Sequence, residues 1–367
     1  MHQLAGESVI SLSEIEATAA AVMEAAAWDY YAGGANDEIT VRENRGAWER
    51  LMIRYRTMVD VTTRHLGTTV LGEPIDFPVM VAPTAMQKLA HPEGELAMAR
   101  ATSACGTLMV VSTTATTSLE DVRGAANGPM WFQLYIYQDR GATRALLERA
   151  RDAAYTAIVI TVDSPMLGWR ERDLRSGFTL PPHLTIANAV AAGSGHSRLP
   201  LADAQGSGLA KHLKALHDPA LTPRDIEWAR EITGLPVLVK GIVRGDDAVR
   251  AVNHGAAGII VSNHGGRQLD TSIATARALP EVVDALAGRG EVYVDGGIRR
   301  GTDVLKALAL GARAVLVGRP PLWGLAVDGE AGVIRVLQHL RLEFDLALSL
   351  AGCASVAELT RDLVVDA

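Results

Sequence analysis

The chain has 367 residues, 48% hydrophobic and 21% charged, the balance of an ordinary folded protein and not of a disordered one. Its formal net charge of −7, with no lysine/arginine run or interleaved basic-aromatic stretch, argues against a nucleic-acid partner, which would need a basic face. No apolar segment reaches about 18 residues, so no membrane span is expected.

The N-terminal MHQLAGESVISLSEIE lacks the charged start and apolar core of a signal peptide. Residues 1–60 read as a helical extension from Ser13, with Glu16 three residues on spaced as a capping box. Then come eight short apolar runs: PVMVAP (78–83), TLMVVS (107–112), MWFQLY (130–135), AIVITVD (157–163), LPVLVK (235–240), AGIIVS (257–262), EVYVDG (291–296) and RAVLVG (313–318). Continuous runs of this length suit strands buried on both faces, as in a parallel sheet. Between them HPEGELAMARATSACG, DRGATRALLERARDA, TPRDIEWAREIT, GDDAVRAVNHG and RGTDVLKALALG carry apolar residues at helical spacing.

Eight alternations predict an α/β fold, a closed (β/α)8 TIM barrel with its strands over 78–320, in a single domain spanning 1–367. An open doubly wound sheet would carry a Gly-rich turn after strand one. Here TAMQKLAHPEG follows, and GSGHSR (193–198) follows no strand. The connection after strand four, 164–222, is out of scale, and its small, glycine-rich AVAAGSGHSRLPLADAQGSG reads as a lid over the active face. Residues 321–367 read as C-terminal helices, with 330–350 as a closing one. The final VVDA is not a peroxisomal address. Cys105 and Cys353 have no CxxC partner, which fits a reducing compartment and a cytoplasmic location.

Each strand is apolar until its C-terminal end, where it turns polar or glycine-rich. The ends give Pro83, Thr84 and Ala85; Ser112; Gln133 and Tyr135; Thr161 and Asp163; Lys240; Ser262, Asn263 and His264; Asp295, Gly296 and Gly297; and Gly318 with Arg319. In a barrel these ends share one mouth, where active sites lie. An unpaired buried lysine or aspartate costs several kcal/mol, so this gathering implies a ligand. DGGIRRGTD and VGRP are glycine-opened turns feeding helix starts beside Arg299 and Arg319, a phosphate-binding arrangement. The plainer reading is that the glycines only make tight turns. Lys240, Ser262, Thr161, Gln133 and Ser112 match the rim of a flavin. Two rivals stay open: a flavin-free barrel using Lys240 as a Schiff-base lysine, and a flavin-binding protein without catalysis.

The motifs also carry a resemblance. DYYAGGANDE (29–38), ENR (43–45), APTAMQKLAHPEGE (82–95), FQLY (132–135), TVDSP (161–165), LVKG (238–241), SNHGGRQLD (262–270), DGGIRRGTD (295–303) and VGRP (317–320) occur in order. The chain resembles the FMN-dependent 2-hydroxy-acid oxidases, the glycolate and lactate oxidase family with its mandelate-oxidising relatives. The resemblance implies that His264 is the base and that Asp163 orients its imidazole. It implies that Arg170 and Arg267 clamp a substrate carboxylate, and that Tyr30 and Tyr135 donate to the substrate's carboxylate and hydroxyl. Lys240 would stabilise negative charge on the flavin. Pro83, Thr84, Ala85, Ser112, Gln133, Tyr135, Thr161 and Ser262 would line the flavin. Asp295, Gly296, Gly297, Ile298, Arg299, Gly318 and Arg319 would hold ribityl and phosphate. The arginines would also depress the proton affinity of His264, leaving it neutral and able to accept a proton.

The implied reaction converts an (S)-2-hydroxy acid to the 2-oxo acid, with O2 reoxidising the flavin to give H2O2 and with no metal. Ala85 is more like the oxidases than the glycine of some dehydrogenase and monooxygenase relatives. No N-terminal haem domain and no apolar patch in the strand-four loop are seen, which argues against cytochrome- or quinone-coupled versions. Homotetramers or octamers are implied by the same resemblance. The chain departs from the glycolate-oxidising members at Thr114, where they carry a tryptophan. A threonine there opens the side-chain pocket to medium-chain or aromatic, mandelate-like 2-hydroxy acids.

Overall fold

In the computed structural model, which describes residues 11–191, 211 and 216–366, every one of the eight apolar runs falls on a strand. They are β1 (Val79–Val81), β2 (Met109–Ser112), β3 (Met130–Leu134), β4 (Ala157–Thr161), β5 (Val237–Ile242), β6 (Gly258–Val261), β7 (Glu291–Val294) and β8 (Ala314–Val317). They pair in chain order, all parallel, and β8 closes on β1 to complete the barrel. A register shift between Lys240 and Ile242 marks the β5–β6 pair.

Alternation along each strand divides the core in two. Met80, Val110, Trp131, Val159, Leu238, Ile260, Tyr293 and Leu316 form one buried cluster. Their neighbours Val79, Val81, Val111, Phe132, Ile158, Val239, Ile259 and Val315 join the other, which includes the packed helices. This is the period-two signature of strands buried on both faces, one side filling the barrel and the other meeting helices. An antiparallel hairpin, Thr68–Val70 with Glu73–Ile75, adds Val70 and Ile75 to the first cluster.

The ends differ from the sequence expectation in three places. The first helix, Leu12–Val22, is capped by Ser11, whose Oγ accepts from the Glu14 amide, so Ser13 and Glu16 form no capping box. Glu16 instead pairs with Arg45 at 2.5 Å. The N-terminal extension is helical over Ala25–Ala32 and Ile39–Arg50, but Leu51–Ile53 is a strand paired antiparallel to Val364–Asp366. The C-terminal helix, Arg319–Leu350, breaks at Asp328–Gly329 and is followed by two short 3-10 turns rather than further helices. After β4 the chain forms short helices at Glu171–Arg175 and Ala187–Ala191. The lid reading of AVAAGSGHSRLPLADAQGSG falls almost wholly outside the described residues, as does GSGHSR. Among the described residues no helix is long and apolar enough to cross a membrane.

Candidate active site

The strand ends meet at a cavity of about 1130 Å³, its open mouth included. Of the expected site residues, all but Asp163 and Ser262 line it. Those two lie directly behind the wall. Ser262 is fully buried, its Oγ accepting from Lys240 Nζ at 2.8 Å and from the His264 amide at 3.1 Å. It therefore steadies the lysine and the histidine loop and does not itself form the lining.

After β6 the backbone makes a tight left-handed turn. His264, Gly265 and Gly266 have φ of 59°, 63° and 77°. For a histidine this region is uncommon and strained, the kind of strain that collects at functional sites. Gly266 is needed because a Cβ there would meet the Val41 amide at 2.7 Å. Gly297 answers a similar demand: φ is 85°, and a Cβ would lie 2.0 Å from the Asn44 carbonyl. The glycine pair after β7 thus lets helix Ile39–Arg50 come close. Trp48 Nε1 donates to the Gly296 carbonyl, and Asn44 exchanges two 2.8 Å hydrogen bonds with Asn263. The N-terminal extension is in this way locked to the loops after β6 and β7.

The centre of the site is a relay of paired charges. His264 Nδ1 lies 2.7 Å from Asp163 Oδ1. A carboxylate only accepts, so Nδ1 carries the proton and Nε2 is left as an acceptor. Burial, reinforced by Lys240 and Arg170, holds the imidazole below its usual proton affinity despite the opposing charge of Asp163. The expected depression is present, but burial is its largest cause, and Arg170 is the arginine that adds to it, after Lys240. Burial alone would raise Asp163; His264 and Lys240 outweigh it and hold the carboxyl below its ordinary range. Lys240 Nζ also lies 3.0 Å from Asp295 Oδ2, and the Asp295 and Asp163 charges overcome burial to raise its proton affinity. The lysine is thus held as a cation in the cavity wall, which argues against a neutral Schiff-base amine.

Around this relay lie two cationic groups of different kinds. Arg170 Nε donates to the Arg267 carbonyl and Nη2 to Gln268 Oε1. Burial, then the charge of Arg267, brings its guanidinium down to about 10. Arg267 donates only through Nη1 among the described residues, to the carbonyls of Tyr30, Tyr31 and Gly33, and lies over the Tyr30 ring at 4.9 Å. Toward the far end, Arg319 spends its nitrogens on the carbonyls of Tyr31, Gly33 and Gly265, and Arg299 Nη1 on that of Ile298. Arg299 Nε is buried with no acceptor, and neither arginine forms an ion pair among the described residues. Burial, then neighbouring arginines, pushes both guanidiniums down, Arg299 to about 10. Two buried cations with no ion-pair partner among the described residues, on which Glu16 and, for Arg299, Asp303 act only without direct contact, make that end a site for an anion.

The remaining wall is neutral and polar. Gln133 Nε2 donates to Thr161 Oγ1 at 3.1 Å, and its Oε1 accepts from Ser112 Oγ and the Thr113 amide. This network fixes the orientation of the amide. Thr114 is buried, with its Oγ1 3.0 Å from Ser112 Oγ. Tyr31, Ser164, Leu167 and Gln268 are among the lining residues to which the sequence assigns no role. Ser164 donates to Asp163 Oδ1 at 2.9 Å. Gln268 accepts from the Gly168 amide and Arg170 and donates to the carbonyls of Asp163 and Met166. Both stand inside motifs that marked the site, TVDSP and SNHGGRQLD, and only adjacency to Asp163 and Arg267 could have singled them out.

Residues 19–366 match the FMN-dependent dehydrogenase family. The chain is 52% identical over 357 residues to an L-lactate oxidase of Nostoc sp., covering 96% of this chain and 97% of that one. It is 50% identical over 353 residues to glycolate oxidase of Spinacia oleracea, covering 96% and 95%. A crystal structure of mandelate oxidase with (S)-4-hydroxymandelic acid superposes with a TM-score of 0.91 at 44% identity, covering 97% of this chain and 98% of that one. The family's FMN fits the cavity found here: the uncompensated Arg299 and Arg319 suit its phosphate, and the fixed Gln133 amide and cationic Lys240 suit a polar ring edge. The chain belongs to the FMN-dependent 2-hydroxy-acid oxidase family.

Proposed function

We propose that this protein oxidises (S)-2-hydroxy acids with side chains larger than that of glycolate, aliphatic or aromatic, to 2-oxo acids, and that O2 takes up the electrons as H2O2. The observation that carries the reading is the His264–Asp163 pair, 2.7 Å apart, in a cavity wall shared with Arg170 and Arg267. The substrate carboxylate pairs with these two guanidiniums and with the Tyr30 hydroxyl. Charge-assisted bonds of this kind are short and directional, so they fix the rest of the substrate against the base. The Tyr135 hydroxyl and His264 Nε2 hold the substrate hydroxyl.

Neutral His264 accepts a proton at Nε2 while Nδ1 stays bonded to Asp163, whose charge stabilises the imidazolium that forms. Bound FMN supplies the two-electron acceptor for this oxidation, held by Arg299, Arg319, residues 295–298 and Gly318 at its phosphate and ribityl and by Pro83, Thr84, Ala85, Ser112, Gln133 and Thr161 at its ring. Lys240 contributes a fixed positive charge to the same wall. Thr114 supports the preference for larger substrates, because a small side chain occupies this part of the lining. Ala85, also on the wall, supports O2 as the acceptor.

The test is anaerobic. Purified holoenzyme is mixed with glycolate, lactate, 2-hydroxyoctanoate and mandelate, and bleaching of the yellow flavin is followed. Air is then readmitted and peroxide assayed. Bleaching by the larger acids and stoichiometric peroxide are expected. A clear preference for glycolate in kcat/KM would refute the substrate reading, and reoxidation without peroxide would refute the oxidase reading.

A further inference from the structure

Tyr30 and Tyr135, which both line the cavity, are each backed by a ring from the long connection after β4. Near its start, Phe178 stacks on Tyr30 with centroids 4.5 Å apart and planes 8° apart. At its end, His217 stacks on Tyr135 at 4.4 Å and 28°. His217 also lies 6.1 Å from the Tyr137 ring at 23°, so one imidazole meets two phenols of the same segment. Among the described residues no other ring packs on Tyr135.

The imidazole is fixed in place by its own backbone. Gln138 N donates to the Leu216 carbonyl at 2.8 Å, and Asp218 N donates to the Ile136 carbonyl at 3.0 Å. Gln138 Nε2 reaches the His217 carbonyl at 3.0 Å. Just beyond, Arg140 joins Asp218 and Asp225, each at 2.6 Å. The residue lies 6% exposed and does not line the cavity. A ring held this firmly against a partly buried phenol restricts the tilt of that phenol, and with it the direction of the hydroxyl.

We propose that His217 is a positioning residue: its stacked imidazole sets the plane of Tyr135 and so aims the Tyr135 hydroxyl at the substrate. The proposal rests on the role given above to Tyr135. By it, the connection after β4 tunes the reaction from behind both tyrosines, without touching the reacting atoms.

The test uses the FMN-loaded enzyme and the 2-hydroxy acid that bleaches it fastest. His217→Leu keeps bulk and the backbone hydrogen bonds but removes the flat face; His217→Phe keeps the face. His217→Leu is expected to lower kcat about three- to tenfold, the range to which an aromatic pair's preference converts, with Tm, flavin absorbance and KM little changed. His217→Phe is expected to restore turnover. In a Tyr135→Phe background, where the hydroxyl is gone, His217→Leu is expected to cause no further loss, the non-additivity of residues acting through one contact. Equal losses in both backgrounds, or a His217→Phe enzyme as slow as His217→Leu, would overturn the proposal and leave His217 a mere anchor of the connection. If Tyr135→Phe alone left turnover intact, the role of Tyr135 itself would fall.

Discussion

At the centre of the cavity the Lys240 ammonium and the neutral His264 imidazole each face a carboxylate, whereas at its far end, among the described residues, Arg299 and Arg319 donate only to carbonyl oxygens. Both regions are buried, and both are built from the polar ends of apolar strands. The difference is in what completes them. A charge already paired within the protein is free to move protons or to hold a potential without further ligands. A buried guanidinium with no counter-charge is complete only when an anion arrives. Arg170 stands between the two regions in kind, buried and without a carboxylate, yet beside the base. It suits an anion that comes and goes, while Arg299 and Arg319 suit one that stays.

Breaking the paired centre has the largest expected consequence. His264→Ala removes the imidazole base from the wall, and kcat/KM is expected to fall about 10²–10⁴-fold, the usual contribution of a positioned acid or base. Flavin absorbance should be retained, because the far end is untouched; loss of colour instead would mean that the two regions are not separable. A smaller effect belongs to shape. Thr114→Trp should lower the ratio of kcat/KM for mandelate over glycolate by about 10–200-fold, what a pocket gains or loses over a few carbon atoms. An unchanged ratio would remove Thr114 from the side-chain pocket. Smaller again, Arg299→Leu should weaken FMN binding by at least about tenfold, the loss of one charge-assisted contact, read by flavin fluorescence on titration. Substrate KM in the FMN-saturated variant should not change. The wild-type Tm should rise on adding FMN to the apoprotein, since binding neutralises buried charge there.

The barrel and the site were legible for the same reason. Strands buried on both faces leave continuous apolar runs, so Asp163, Lys240 and His264 stand out at their ends. Relations between distant segments leave no such trace. Gly297 reads as a turn residue for a phosphate loop, and its close approach to Asn44, some 250 residues earlier, appears only once the chain is folded. Ser262 reads as lining because it ends β6, but the chain turns at His264 and leaves its hydroxyl under Lys240. Ser13 reads as the cap because Glu16 stands three residues on, but Ser11 caps the helix, with Leu12 and Ile15 packed into the core. Nothing local to His217 points to Tyr135.

The finest test of the paired centre is its pH dependence. Only neutral His264 accepts a proton, so kcat/KM is lost as pH falls through its folded proton affinity, which lies below the ordinary 6.5. The acid limb should therefore sit on the acid side of 6.5, the opposite of what a histidine dominated by its carboxylate partner would show. Ser164 shares Asp163 Oδ1 with the imidazole. Ser164→Ala leaves more of that charge to the ring, raises the proton affinity of His264 and should move the limb toward higher pH, with little change at the plateau. A limb that stayed in place or moved the other way would show that burial and Lys240 set the base without help from its carboxylate.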